Sequence, residues 1–269
     1  MDRTLGELTL PTGWLGRRLE LYRELDSTNR LAEELANGGA PEGTLVLADG
    51  QTAGRGRLGR SFFSPPGTGL YLSLVLRPRI PADRAPQYIF AAAVAVAETV
   101  RAWIPPEVRV EIKWPNDVLL DGRKTSGINL PAKLEGDRVH WLVLGIGVNV
   151  NLTRADFPEE LIPIATSLRV ARGTPLDRVA FAEALLGRLE QRIDRLREGG
   201  FPEVLEAWRD FFRMQGARVR VGGPGVAREI EGTVKGIDSV GALLVQTERA
   251  RERILAGDVT LLDSDQPDR

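Results

Sequence analysis

The sequence predicts an α+β protein with a small all-β unit at its C-terminus. Two observations carry this. Up to Met214, runs with strand character are interleaved with runs of helical character; beyond it, only short alternating segments punctuated by glycine remain. At 269 residues the chain has room for one large core and a small one.

Residues 19–25 read as a short strand. Asp26-Ser27-Thr28-Asn29 follows, side chains that cap helices, and Leu31, Leu35 and the Gly38-Gly39 stop outline a short helix. Residues 44–48 form a strand of buried type, 50–69 a loop rich in Gly, Arg and Pro, and 70–76 a second buried strand ended by Pro78. Residues 86–103 are alanine-rich and apolar nearly all round, which predicts a buried helix. Residues 108–114 alternate as a strand. Residues 118–120 and 125–130 flank Asp121-Gly122, a hairpin signal. Residues 140–150 are an apolar strand, and 179–196 and 204–212 amphipathic helices. Strands are then expected at 218–221, 229–235, 242–246, 251–255 and 259–262, as in a small barrel. The expected division is an N-terminal extension (1–18), a large domain (19–215), a small one (216–263) and a polar, disordered tail (264–269).

Composition removes several chemistries. There is no cysteine, hence no disulfide, thiolate metal site or thiol nucleophile. The only histidine is His140, so no metal site built on several histidines and no histidine acid/base pair is possible. A net charge of -1 gives no overall basic field for nucleic acid or a membrane surface. Residues 1–19 mix charge with Pro11 and Gly13 and lack an apolar signal core, and 88–103 are too short and too charged to span a bilayer. A soluble cytoplasmic protein is expected.

Gly54-Arg55-Gly56-Arg57-Leu58-Gly59 matches the spacing of a dinucleotide fingerprint, but Pro65-Pro66 forbids the helix that must follow. No Gly-Lys-Ser/Thr follows either, so it is no P-loop. What remains is a loop whose glycines let backbone N–H groups converge on an anion and whose arginines supply permanent charge. The same residues also fit an exposed basic loop. Lys113-Trp114-Pro115-Asn116-Asp117 is a turn at a strand end, and Lys124 lies just past the hairpin turn, placed to fold back beside Asp117. That lysine is either a phosphate clamp or a solvated hairpin residue. Taken alone, Ser27-Thr28-Asn29 fits a helix cap, Gln51 a loop residue and Asn149 a turn former.

Together these pieces resemble the biotin protein ligases, in that family's order: Asp-Ser-Thr-Asn at 26–29, Gln-Thr-Ala-Gly-Arg-Gly-Arg at 51–57, Leu-Tyr-Leu-Ser at 70–73, Lys-Trp-Pro-Asn-Asp at 113–117, Lys124 with Gly127-Ile128, Gly-Ile-Gly-Val-Asn at 145–149, and Gly-Ile-Asp-Ser-Val-Gly-Ala-Leu-Leu-Val at 236–245. The resemblance covers about residues 19–263. It implies a mixed sheet flanked by helices, like that of class II aminoacyl-tRNA synthetases, and a C-terminal SH3-like barrel. It implies that Ser27, Thr28, Asn29 and Gln51 hold the biotin ring, and that Arg55, Gly56, Arg57 and Lys124 meet its carboxyl group and the adenylate phosphate. Arg60, Phe62 and Asn149 would complete the ATP side. Two positions depart from the family: Phe62 stands where tryptophan is usual, and Asn129-Leu130-Pro131 replaces a more regular strand.

The implied reaction joins biotin to ATP as biotinyl-adenylate and then passes biotin to a lysine of a biotin carboxyl carrier protein. The biotin carboxylate is already ionised at neutral pH, so the first step needs charge rather than a base. Arg57 and Lys124 are the expected charge donors. Mg²⁺ would arrive on ATP, with no metal held by the protein alone. Asp117 is expected either to position the acceptor amine or to take its proton. No membrane partner is expected, and no DNA partner either, because residues before Leu19 are too few for a helical DNA-reading module; the enzyme would be a monomer or a homodimer. The alternatives are a lipoate ligase, and a non-catalytic nucleotide- or RNA-binding protein using the arginine loop.

Overall fold

A computed structural model of the chain describes residues 4–223, 226 and 228–262; the tail expected to be disordered lies outside them. In chain order the large part contains β1 (Arg18–Leu25), α1 (Thr28–Asn37), β2 (Thr44–Gln51), β3 (Gly69–Leu76), α2 (Gln87–Trp103), β4 (Val110–Lys113), β5 (Asp117–Leu120), β6 (Arg123–Asn129), β7 (Ala132–Glu135), β8 (Arg138–Asn149), α3 (Leu168–Arg172), α4 (Arg178–Arg197) and α5 (Phe201–Arg209). Its strands form one sheet in the order β1-β2-β3-β8-β6-β5-β4, with β7 paired to β8. β1 and β2 are parallel, joined by α1 as crossover, and the other pairs are antiparallel. The sheet is therefore mixed, as expected.

The period-two alternation of strands assigns the faces. In β3, Leu70, Leu72, Leu74 and Leu76 join Leu142, Leu144, Ile146 and Val148 of β8 in the main core, covered by α2, α4 and α5. On the opposite face, Val75, Val143 and Trp141 pack under Ala32 and Ala36 of α1. Farther along that second face the side chains shrink or turn polar, at Ser73, Gly145 and Gly147. α2 is buried on nearly every side, which its small alanines permit. Against it stands an aromatic cluster: Phe90 lies 5.1 Å from Trp208 and 5.8 Å from Phe201, and Trp208 stacks on Phe212 at 5.0 Å.

The C-terminal part is a five-stranded antiparallel sheet of β9 (Arg218–Gly222), β10 (Ile230–Ile237), β11 (Leu243–Gln246), β12 (Arg251–Ile254) and β13 (Asp258–Leu261), in the order β12-β11-β10-β9-β13. Among the described residues β12 and β13 are not paired, so the strand path is open. Trp114 ties this sheet to the large one: its indole N–H donates to the Gly241 carbonyl at 2.9 Å. Gly241 sits at φ 88°, and a Cβ there would come within 2.6 Å of the Phe90 ring.

Four details differ from expectation. β7 was not foreseen; all four of its residues are exposed, so it carries no alternating pattern. α3 is too short to show periodicity. The strand expected at 108–114 is only Val110–Lys113, because the chain turns at Trp114-Pro115. The last helix starts at Phe201, not 204, because Pro202 fits a first helical turn, where its missing N–H costs nothing.

Trp208→Ala should lower the unfolding free energy by about 3–5 kcal/mol, the usual cost of emptying a large aromatic site. Denaturant unfolding measures it; a loss below about 1 kcal/mol would mean that the cluster relaxes around the gap.

Candidate active site

The second face of the large sheet carries a strip without side chains. Gly127 of β6 pairs with Gly147 of β8, and Asn129 with Gly145. A Cβ on Gly145 would meet Asn29 Oδ1 at 2.0 Å, and one on Gly147 would meet the Phe62 ring at 2.7 Å. The glycines are there because other groups lie directly on the sheet. One is Lys124, whose Nζ would stand 3.1 Å from a Cβ on Gly127.

Lys124 reaches this face through an irregularity. In β6, Ser126 pairs with Val118, but Lys124 pairs with Leu119, so the register shifts and Thr125 has no partner in β5. Without that extra residue, Lys124 would share the parity of Ser126 and point the other way. With it, Lys124 stands beside Asp117, Nζ to Oδ1 2.8 Å. The turn before it is the expected hairpin: Asp121 and Gly122 both have positive φ, 45° and 77°.

At the α1 end of the strip lies a polar network. Gln51 Oε1 accepts from the Thr28 backbone N–H at 2.8 Å and lies 3.1 Å from Thr28 Oγ1, while Gln51 Nε2 donates to Ser64 Oγ at 2.9 Å. Ser73 Oγ is 2.9 Å from Thr28 Oγ1 and 2.6 Å from Asn29 Oδ1. Gln51 thus satisfies the first N–H of α1, at the helix start where the sequence offers Asp26-Ser27-Thr28-Asn29 as capping side chains. Ser27 Oγ is buried and has no hydrogen-bond partner among the described residues.

The arginine loop is a small hairpin folded over the strip. Phe62 N–H donates to the Gly54 carbonyl at 2.9 Å, Gly56 N–H to the Arg60 carbonyl at 2.8 Å, and Arg55 bridges to Ser61. Arg57 donates to Asn116 Oδ1 at 2.9 Å, and Asn129 Nδ2 donates to the Gly56 carbonyl at 3.3 Å. The Phe62 ring, edge-on to Tyr71 at 6.4 Å, covers Gly147.

Between hairpin and strip is a cavity lined by five cations, Arg55, Arg57, Arg60, Lys113 and Lys124, and two carboxylates, Asp117 and Asp258. Burial lowers the Arg57 guanidinium from the usual arginine range, opposed by Asp258 and Asp117. Burial likewise lowers Lys113, opposed by Asp117 and reinforced by Lys124. A surplus of cations, two of them partly desolvated, is chemistry suited to an anion.

Of the residues expected to act, Thr28, Asn29, Gln51, Arg55, Gly56, Arg57, Arg60, Phe62, Asp117 and Lys124 all line this cavity. Ser27 and Asn149 do not; Asn149 is buried at the end of β8, its amide donating to the Thr166 carbonyl at 3.0 Å. The sequence reading gave no role to Lys113, Asn116, Ser73 or Asp258. The first three lay within motifs already marked, whereas nothing near Asp258 in sequence signals a site.

Residues 21–149 match the family described as Biotin/lipoate A/B protein ligase, and residues 216–262 match the Biotin protein ligase C terminal domain. The bifunctional ligase/repressor BirA of Bacillus subtilis is 41% identical over 256 residues, covering 94% of this chain and 76% of that one. The chain belongs to the biotin protein ligase family. The biotin–[acetyl-CoA-carboxylase] ligase of Mycobacterium tuberculosis is 34% identical over 264 residues, 97% of this chain and 95% of the other. The biotin protein ligase of Aquifex aeolicus, solved in complex with biotin and ATP, matches with a TM-score of 0.75 at 32% identity, over 91% of this chain and 98% of its own. These relatives make the chain a ligase and do not favour the lipoate alternative. No helix among the described residues is long and apolar enough to cross a membrane.

Lys113 gives this ligase a pH signature. Its native pKa is lowered, so the unfolded chain binds the proton more tightly and native Lys113 destabilises the fold when charged. That penalty is full below the native pKa and fades as pH rises towards the ordinary lysine value, about 10.4. Lys113→Met should therefore melt higher than wild type at pH 7, and the gain should shrink at alkaline pH. A gain constant with pH would assign the effect to packing.

Proposed function

We propose that this chain forms biotinyl-adenylate from biotin and ATP in the cavity under the arginine hairpin, and then transfers biotin to a lysine of a biotin carboxyl carrier protein in the cytoplasm. The observation that carries this reading is Lys124, held over side-chain-free Gly127 beside Asp117 in a cavity that Arg57 also lines. Two anions must meet there, the biotin carboxylate and the α-phosphate, and permanent cations in a site shielded from water offset their repulsion.

Thr28, Asn29 and Gln51, braced by Ser73, form the polar end of the strip and would receive the hydrogen-bonding biotin ring. Arg55, Gly56, Arg57 and Lys124 would meet its carboxyl group and the phosphate. Arg60 and Phe62 would serve the nucleotide, with the Phe62 ring leaving Gly147 to stack on adenine; phenylalanine offers a face but no indole N–H. Ser27 and Asn149 lie just outside the cavity and would act by supporting α1 and the end of β8. The two carboxylates lining the cavity are paired with cations, Asp117 with Lys124 and Asp258 with Arg60. A Mg²⁺ ion brought on the ATP phosphates would add charge neutralisation.

In the transfer step the attacking amine must be neutral. Asp117 becomes free for it once Lys124 turns to the phosphate, and would position the acceptor lysine at the cavity mouth. The mixed anhydride is prone to hydrolysis, so the hairpin also serves to exclude water.

Incubation with ATP and either biotin or lipoate, followed by mass spectrometry, tests the substrate: biotinyl-adenylate is expected, and lipoyl-adenylate instead would overturn the reading. Lys124→Ala should slow single-turnover adenylation by about 100- to 1000-fold, the scale for removing a transition-state charge donor, while biotin still binds. Near-wild-type adenylation would remove Lys124 from the mechanism. Arg57→Gly should release biotinyl-adenylate and label lysines of unrelated proteins; unchanged acceptor selectivity would show that Arg57 does not retain the intermediate.

A further inference from the structure

The C-terminal sheet reaches the cavity with one short stretch, residues 257–259. Gly257 is bound to its place: its φ is 143°, and a Cβ there would come within 2.8 Å of Val226 and 3.1 Å of Val221. This turn delivers Asp258, the first residue of β13, to the cavity wall. There its carboxylate forms an ion pair with the Arg60 guanidinium at the end of the hairpin. Arg60 is joined to the rest of the hairpin through its backbone: its carbonyl accepts from Gly56 N–H at 2.8 Å and its N–H donates to the Arg57 carbonyl at 3.2 Å. Through Arg60, a carboxylate at 258 thus acts on Gly56 and Arg57 without touching them. Its field also supports the charge on Arg57 and on Lys113.

We propose that Asp258 is a positioning residue for the nucleotide half of the reaction: by holding Arg60 it keeps the hairpin on the C-terminal sheet and Arg57 over the cavity. This rests on reading the cavity as the adenylation site. It gives the C-terminal sheet a defined part in that step, through one side chain. The polar network at Thr28, Gln51 and Ser73, proposed to hold the biotin ring, is built from α1, β2 and β3, so biotin affinity should fall less than ATP affinity, through Gly56 and Arg57 alone. Substitution should therefore separate the two substrates. The ion pair is half exposed, with side-chain exposures of 62% for Arg60 and 30% for Asp258, so its effect is modest.

Biotin-dependent exchange of pyrophosphate into ATP reads this out, with biotin affinity measured separately by titration. Asp258→Asn should raise KM for ATP about three- to fivefold, with biotin affinity falling by less than about twofold. Asp258→Glu should restore most of the loss. In a cycle with Arg60→Gln, the double variant should be no worse than the weaker single one, because both remove the same contact. An unchanged KM for ATP in Asp258→Asn, a parallel loss of biotin affinity, no rescue by glutamate, or effects that multiply in the double variant would each overturn the proposal. If wild type shows no biotin-dependent exchange at all, it is the adenylation reading that fails instead.

Discussion

Lys124 faces the glycine strip because β6 contains one residue more than β5 can pair. Side chains of a strand alternate, so a single unpaired residue at Thr125 changes the face on which everything beyond it emerges. That shift brings Lys124 to Asp117 and sets a flexible cation over a floor whose glycines, Gly127, Gly145 and Gly147, carry no side chains of their own. The rest of the site is arranged around the same floor. Gly145 accommodates Asn29, Gly147 accommodates Phe62, and the hairpin lies across them.

A site that gathers five cations must also hold them apart from one another before an anion arrives. The structure does this with local partners. Asp117 takes Lys124, Asp258 takes Arg60, and Asn116 accepts from Arg57. On the proposed function, a phosphate oxygen would replace these partners. One comes from the hairpin β5–β6, one from the C-terminal sheet and one from the turn after β4, so the charge is held by three separate parts of the fold. The C-terminal sheet is in turn fixed by Trp114, two residues before Asn116, which explains why a tryptophan stands in that turn: it is a structural bolt through the indole N–H.

Much of this was legible in sequence. The buried strands β2, β3 and β8 and the helix α2 declared themselves through largely apolar runs, and the Asp-Gly turn through its chemistry. Placing Lys124 beside Asp117 followed from the hairpin, although the bulge that makes it possible did not, since nothing in Lys124-Thr125-Ser126 signals an unpaired residue. β7 was illegible because an exposed strand has no face to alternate. Asp258 was illegible for another reason. It is distant in sequence from every other cavity residue except its neighbours, and only the packing of two sheets brings it in. Ser27 and Asn149, picked out by residue type, are buried and are not among the residues lining the cavity.

The central claim is that an acyl-phosphate belongs over the Gly127–Gly147 strip, between Lys124 and Arg57. A crystal structure with a non-hydrolysable biotinyl-adenylate analogue measures this directly. The account predicts the phosphate-equivalent group within hydrogen-bond distance of Lys124 Nζ, with the biotin ring against Thr28 and Gln51 and Phe62 displaced from Gly147. An analogue bound elsewhere, with Lys124 still paired to Asp117 and Phe62 still covering Gly147, would contradict it.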